Sequence, residues 1–140
     1  LSMVKLMINS KESILPNIPK RIVSIFQPHR FSRTKHFLKE FSTSLSISDL
    51  IILPPIYDAG EIPINGVNSE AIAKCIKTIN PNVPIVLCND FDELIEVIQN
   101  HTKSGDLIVN MGAGNINNLW QKLKNIDAEQ NDYYEYRKVA

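Results

Sequence analysis

The segment Arg21-Ile22-Val23-Ser24-Ile25-Phe26-Gln27-Pro28-His29-Arg30-Phe31-Ser32-Arg33-Thr34 changes character halfway along. Its first half is a short β-branched apolar run, the pattern of a strand buried on both faces. Its second half is polar and basic, and opens a stretch in which Phe31, Phe37, Leu38, Phe41 and Leu45 recur at helical spacing. Ser32 is the expected N-cap of that helix. A buried strand that runs directly into a helix is the unit from which parallel sheets are built.

The same unit recurs downstream. Asp49-Leu50-Ile51-Ile52-Leu53 reads as a second strand, stopped by Pro54-Pro55 and followed by a loop of about fifteen residues. Ser69 is the expected cap of the next helix, with Ile72, Cys75, Ile76 and Ile79 on its inward stripe. Pro84-Ile85-Val86-Leu87 is a third strand. Asp90 and Glu93 have capping-box spacing before a helix carrying Leu94, Ile95, Val97 and Ile98. Gly105-Asp106 turns into a fourth strand over Leu107-Ile108-Val109-Asn110-Met111. Gly112-Ala113-Gly114-Asn115 then leads to a helix with Ile116, Leu119, Trp120 and Leu123. Four strand–helix units predict an α/β fold: a three-layer, Rossmann-like open sheet, mostly parallel, with helices on both faces. Residues 1–20 read as an N-terminal helix (over 1–13) and lead-in, 21–124 as the domain, and 125–140 as a polar, tyrosine-rich tail.

Composition narrows the function classes. The chain has 140 residues, enough for one domain with a substantial core. Lys plus Arg equals Asp plus Glu at 15 each, which argues against a dedicated nucleic-acid binder and against a polybasic membrane anchor. No apolar run reaches the roughly 18 residues of a membrane span, and the start lacks the layout of a signal peptide. Because Met3 is not first, the chain reads as a fragment of a longer one, or as carrying a cloning scar before Met3. Cys75 and Cys88 have no CxxC or zinc-ligand spacing and read as reduced core thiols.

Ligands of open parallel sheets bind outside the carboxyl ends of the strands. The segments leaving those ends hold the unusual residues: Gln27 to Thr34, Pro54 to Glu61, Cys88-Asn89-Asp90, and Gly112 to Asn115. The opposite edge, with Asn80, Asn82, Lys103 and Ser104, reads as plain solvated turns. With only four arginines in the chain, Arg30 and Arg33 stand out beside His29 at a helix start, where N–H groups and the dipole favour an anion. Two readings of the pair stand: a site for a carboxylate or phosphate, or surface side chains bonded to loop carbonyls or to Asp58 and Glu61. For Tyr57, Asp58 and Glu61 there are likewise two: acids that orient an amine, a metal or the arginines, or a tight turn in which Asp58 bonds its own backbone. Gly112-Ala113-Gly114-Asn115-Ile116-Asn117 fails the dinucleotide fingerprint and follows the last strand rather than the first; a close approach between strand and helix is its simpler meaning. No P-loop, HExxH or GxSxG occurs, and no nucleophile–base pair is evident. His36 and His101 read as ordinary surface residues.

Phe26-Gln27-Pro28-His29-Arg30-Phe31-Ser32-Arg33-Thr34, Tyr57-Asp58-Ala59-Gly60-Glu61 with Pro63-Ile64 and Gly66, and Gly112-Ala113-Gly114-Asn115-Ile116 together resemble the C-terminal domain of the Mur ligase family, in the branch that adds L-alanine to UDP-N-acetylmuramate. The order and spacing of the three motifs agree over roughly residues 20–124. The murein tripeptide ligase branch is a weaker match at residues 29–32, and folylpolyglutamate synthetases share the fold but not this run. A non-catalytic Rossmann-like binding module is the alternative of a different class.

The resemblance implies a cytoplasmic, three-domain, ATP- and magnesium-dependent enzyme of peptidoglycan synthesis. ATP and magnesium would be held mainly by a central domain outside this sequence, as would a further motif of the Asp-Asp-Tyr-x-His-His-Pro type expected just before residue 1. It implies catalytic roles for His29, Arg30 and Arg33. Substrate contacts would come from these three and from Thr34, Tyr57, Asp58 and Glu61, and nucleotide contacts from Gly112, Gly114 and Asn115. No metal ligand is expected here, and the fragment alone should be inactive.

Overall fold

The structure, a computed structural model, describes residues 19–123; the expected N-terminal helix and the tail from Asn125 lie outside the described residues. Four strands, β1 (Arg21–Phe26), β2 (Leu50–Leu53), β3 (Ile85–Leu87) and β4 (Asp106–Met111), form one sheet in the order β3-β2-β1-β4. Every pairing is parallel, so the mostly parallel sheet expected is wholly parallel among the described strands. Strand order turns back between β1 and β4. The chain moves outward from β1 to β3 and then returns to the other side of β1, which places a crevice outside the carboxyl ends of β1 and β4.

The helices are α1 (Phe31–His36), α2 (Leu38–Leu45), α3 (Ser69–Ile79) and α4 (Phe91–His101). A 3-10 turn over Asn115–Asn118 leads into helical residues 119–123. Two cores sandwich the sheet. On one face Val23, Ile25, Leu50 and Ile52 meet Leu94, Ile95, Val97 and Ile98 of α4 and Ile116, Leu119 and Leu123. On the other, Ile51 and Leu53 meet Leu45, Ile72, Ile76 and Val83. Residues 50 to 53 thus serve both faces in alternation, which is why the strands lack a polar side. Each fully buried Ile or Leu contributes about 1.5–3 kcal/mol by leaving water.

Local signals decide the element boundaries, and three expectations need correction. The helix expected over 31–45 breaks at Phe37, whose φ of −106° and ψ of 19° leave the helical region, although its N–H still reaches the Arg33 carbonyl. The cap of α3 is Asn68 rather than Ser69. Asn68 accepts the Ala71 N–H through its side chain, while Ser69 turns its hydroxyl inward onto the Pro54 carbonyl. Ile79 ends α3 at 44% exposure and falls off the inward stripe. Asp90 does cap α4, accepting the Glu93 N–H at 2.8 Å. Cys88 is buried and Cys75 half-buried; burial first, then the nearby Glu93 and Asp90, pushes the Cys88 thiol up to about 12, which makes it an inert core thiol.

At the amino-end edge of the sheet, Arg21 forks onto Asp106, with Nε and Nη2 at 2.8 and 2.6 Å from its two carboxylate oxygens. Nη2 also donates to the His101 carbonyl. This edge, expected to be plain turn, therefore carries an ion pair that ties β1, α4 and β4 together. Arg21 lies at the far end of β1 from Arg30 and Arg33. Among the described residues no helix is long and apolar enough to cross a membrane.

Candidate functional site

The loops after β1 and β2 are stitched to each other. The Tyr57 N–H donates to the Pro28 carbonyl, and the Arg30 N–H to the Tyr57 carbonyl, an isolated parallel bridge between His29 and Tyr57. The imidazole and phenol rings stack, with centroids 5.6 Å apart and planes inclined by 17°. The basic cluster and the Tyr-Asp bend therefore share one edge of the sheet, as their order after β1 and β2 predicts.

Arg30 adopts φ +67°, rare for a residue with a side chain. Its neighbours hold it there. The Arg30 N–H goes to Tyr57, and its carbonyl accepts both the N–H and the hydroxyl of Thr34. Thr34 is fully buried, beneath this turn. The Arg30 and Arg33 side chains are exposed. Among the described residues neither guanidinium makes a hydrogen bond or an ion pair within 4 Å.

The helix start itself is already filled. Glu61 accepts the Ser32 N–H through Oε2 at 2.9 Å and the Ser32 hydroxyl through Oε1 at 2.6 Å. Ser32 therefore does not cap α1 with its own side chain; a carboxylate from the loop after β2 caps it in trans. These two bonds, with a smaller contribution from nearby Arg30, hold the Glu61 carboxyl below the usual carboxylate range. Asp58 accepts the Gly60 N–H at 2.9 Å, the tight-turn reading of that residue.

A cavity of about 250 Å³ lies beside this cluster, lined by Gln27, Pro54, Pro55, Ile56, Tyr57, Asp58, Asp90, Phe91 and Asn115. Tyr57, Asp58 and Asn115 of the expected site residues line it. His29, Arg30, Arg33, Thr34, Glu61, Gly112 and Gly114 do not. Gln27, which the sequence reading names in the first polar segment but gives no site role, is a polar residue ending a buried strand. It is 6% exposed and spans the crevice between β1 and β4, donating to Asn115 Oδ1 at 2.9 Å. The Gly112–Asn115 loop is a close backbone approach: a Cβ at Gly112 would stand 2.7 Å from the Ile116 side chain, and one at Gly114 2.6 Å from the Tyr57 ring.

The cavity presents two carboxylates and no cationic side chain, and no group of three or more His, Cys, Asp or Glu among the described residues is arranged to hold a metal ion. The residues present do not by themselves form a triphosphate or magnesium site.

Fold and loops thus define a Rossmann-like α/β domain whose polar side chains gather at the carboxyl edge of its sheet. The chain is 48% identical over 127 residues to a UDP-N-acetylmuramate–L-alanine ligase of Prochlorococcus marinus (strain MIT 9313), covering 91% of the chain and 26% of that relative. A ligase of the same name from a second strain of that organism (MIT 9303) is 47% identical over 127 residues, with the same coverage. Another, from Synechococcus sp. (strain CC9311), is 46% identical over 123 residues, 88% of the chain and 26% of the relative. Over 88–91% of its length the chain is thus similar to part of ligases that carry this name. It spans about a quarter of the length of the curated relatives it matches. No family model matches the chain.

Proposed function

We propose that this chain is the C-terminal domain of an ATP-dependent ligase that joins L-alanine to the lactyl carboxylate of UDP-N-acetylmuramate, a cytoplasmic step in peptidoglycan synthesis and so in cell shape and division. The observation that carries the reading is the 48% identity across 91% of the chain to a ligase of that name. The gathering of His29, Arg30, Arg33 and Tyr57 at one sheet edge supports it.

The phosphates of ATP and the magnesium ion would be held mainly by the rest of the enzyme. The γ-phosphoryl group of ATP would pass to the carboxylate, giving an acyl phosphate and ADP; the alanine amine would then attack the acyl carbon, lose a proton and expel phosphate from the tetrahedral intermediate. Such chemistry calls chiefly for positioning and charge stabilisation. The exposed guanidinium groups of Arg30 and Arg33 suit the alanine carboxylate or the charge of the tetrahedral intermediate. The His29 imidazole suits orienting the amine or taking its proton. Thr34 and Glu61 fix the turn that carries these groups. Tyr57 and Asp58 form the facing wall, and the Gly112, Gly114 and Asn115 loop closes the nucleotide side of the crevice.

The test compares this chain with the full-length polypeptide. Full-length enzyme should convert ATP to ADP only when both UDP-N-acetylmuramate and L-alanine are supplied, and this chain alone should turn over nothing. Turnover by the purified chain, or full-length turnover indifferent to L-alanine, would refute the proposal.

A further inference from the structure

Gly114, Tyr57 and His29 come from three different loops, and Tyr57 touches both of the others. A Cβ at position 114 would stand 2.6 Å from Tyr57 Cγ and 2.9 Å from Cδ2, closer than real Cβ contacts come. Gly114 has φ −114°, so no left-handed backbone calls for glycine there. What excludes a side chain is chiefly the Tyr57 ring, with Gln27 Oε1 also close at 3.0 Å. That ring stacks on His29, with centroids 5.6 Å apart. Backbone bonds from Tyr57 to Pro28 and from Arg30 to Tyr57 fix the two loops in register. A Cβ at 114 would therefore force a shift at the Tyr57 ring or in its own loop, and the ring is the group that touches His29.

We propose that Gly114 and Tyr57 are positioning residues: the bare backbone at 114 backs the Tyr57 ring, and that ring sets the attitude of the His29 imidazole toward the amino-acid substrate. The proposal rests on the alanine-site reading above. It links the loop after β4, through one aromatic ring, to the amine-handling end of the loop after β1. The glycine then acts through sterics rather than by cradling a phosphate.

A double-mutant cycle in the full-length ligase tests it, read as KM for L-alanine separately from kcat. Gly114→Ala should raise KM for L-alanine about tenfold or more, since small misplacements of a substrate-positioning group are costly. Tyr57→Ala alone should raise KM for L-alanine comparably. Gly114→Ala added to Tyr57→Ala should do little more, because alanine has no Cγ for the new Cβ to meet. A wild-type KM in Gly114→Ala, or an alanine effect undiminished in the Tyr57→Ala background, would overturn the proposal. If Gly114→Ala fails to fold, Tyr57→Ala decides alone: unchanged KM overturns the idea. His29→Ala separates the two levels. If it leaves alanine kinetics intact, the alanine-site reading fails. If it impairs them while Gly114→Ala and Tyr57→Ala do not, only the positioning role fails.

Discussion

Glu61 shows how one carboxylate organises two loops. Its bonds to the Ser32 N–H and hydroxyl exist in full only while it is ionised, and they hold its pKa below the unfolded value. The folded chain therefore binds fewer protons than the unfolded one between those two values, and stability rises with pH across that window. The contribution is complete above the ordinary carboxylate pKa and is lost as pH falls through the depressed one. Glu61→Gln should melt at a lower temperature than wild type at neutral pH, and the gap should close in acid. A gap that stays constant with pH would show that charge is not what the cap uses. Ser32 misleads in the sequence for an instructive reason. A serine beside a helix start looks like its own cap, and nothing local reveals a carboxylate arriving from the loop after β2. Arg30's left-handed backbone is equally hidden, because it depends on Tyr57 and Thr34 accepting and donating around it.

Elements are more legible than their ends. The strands at 21–26 and 106–111 stand out because both faces of the sheet are covered and no polar alternation interrupts them. The capping pair Asp90 and Glu93 is readable because both partners lie within one turn. Asn68 and Ser69 are not separable, since either side chain can cap and only the buried Pro54 carbonyl draws Ser69 away. The Arg21–Asp106 pair, 85 residues apart in sequence, leaves no local trace. The Asp106 side chain is 2% exposed. Burial pushes its pKa up, but the hydrogen bond from Arg21, the Lys103 N–H and the nearby positive charges overcome this and leave it below the usual range. In wild type that contribution is present above the ordinary carboxylate pKa and fades as pH falls through the depressed one. Arg21→Ala strands the carboxylate and should cost about 1–3 kcal/mol at neutral pH in urea unfolding. The loss should shrink in acid, where the stranded acid takes up a proton. A loss unchanged from pH 7 to acid would mean the pair is not the source.

At the scale of the molecule, strand order does the organising. Because β4 returns beside β1, the loops after both strands flank one crevice, and Gln27 bridges them by reaching Asn115. The loop after β2 joins through the His29–Tyr57 bridge. Three segments far apart in sequence meet at one edge, and that convergence follows from parallel topology alone, which is why the location of the candidate site is readable in advance. Which side chains line the cavity is not, because that depends on rotamers and on the stack of Tyr57 against His29. The guanidinium groups of Arg30 and Arg33 lie outside the cavity and have no hydrogen-bond or ion-pair partner among the described residues. The most direct measurement is steady-state ligation of L-alanine to UDP-N-acetylmuramate by the full-length enzyme and its Arg30→Ala variant. On the proposed pairing of Arg30 with the alanine carboxylate, its removal should lower kcat/KM for L-alanine about 30-fold or more, with the variant still folded. Alanine kinetics indistinguishable from wild type would contradict the assignment of this loop to the amino-acid site.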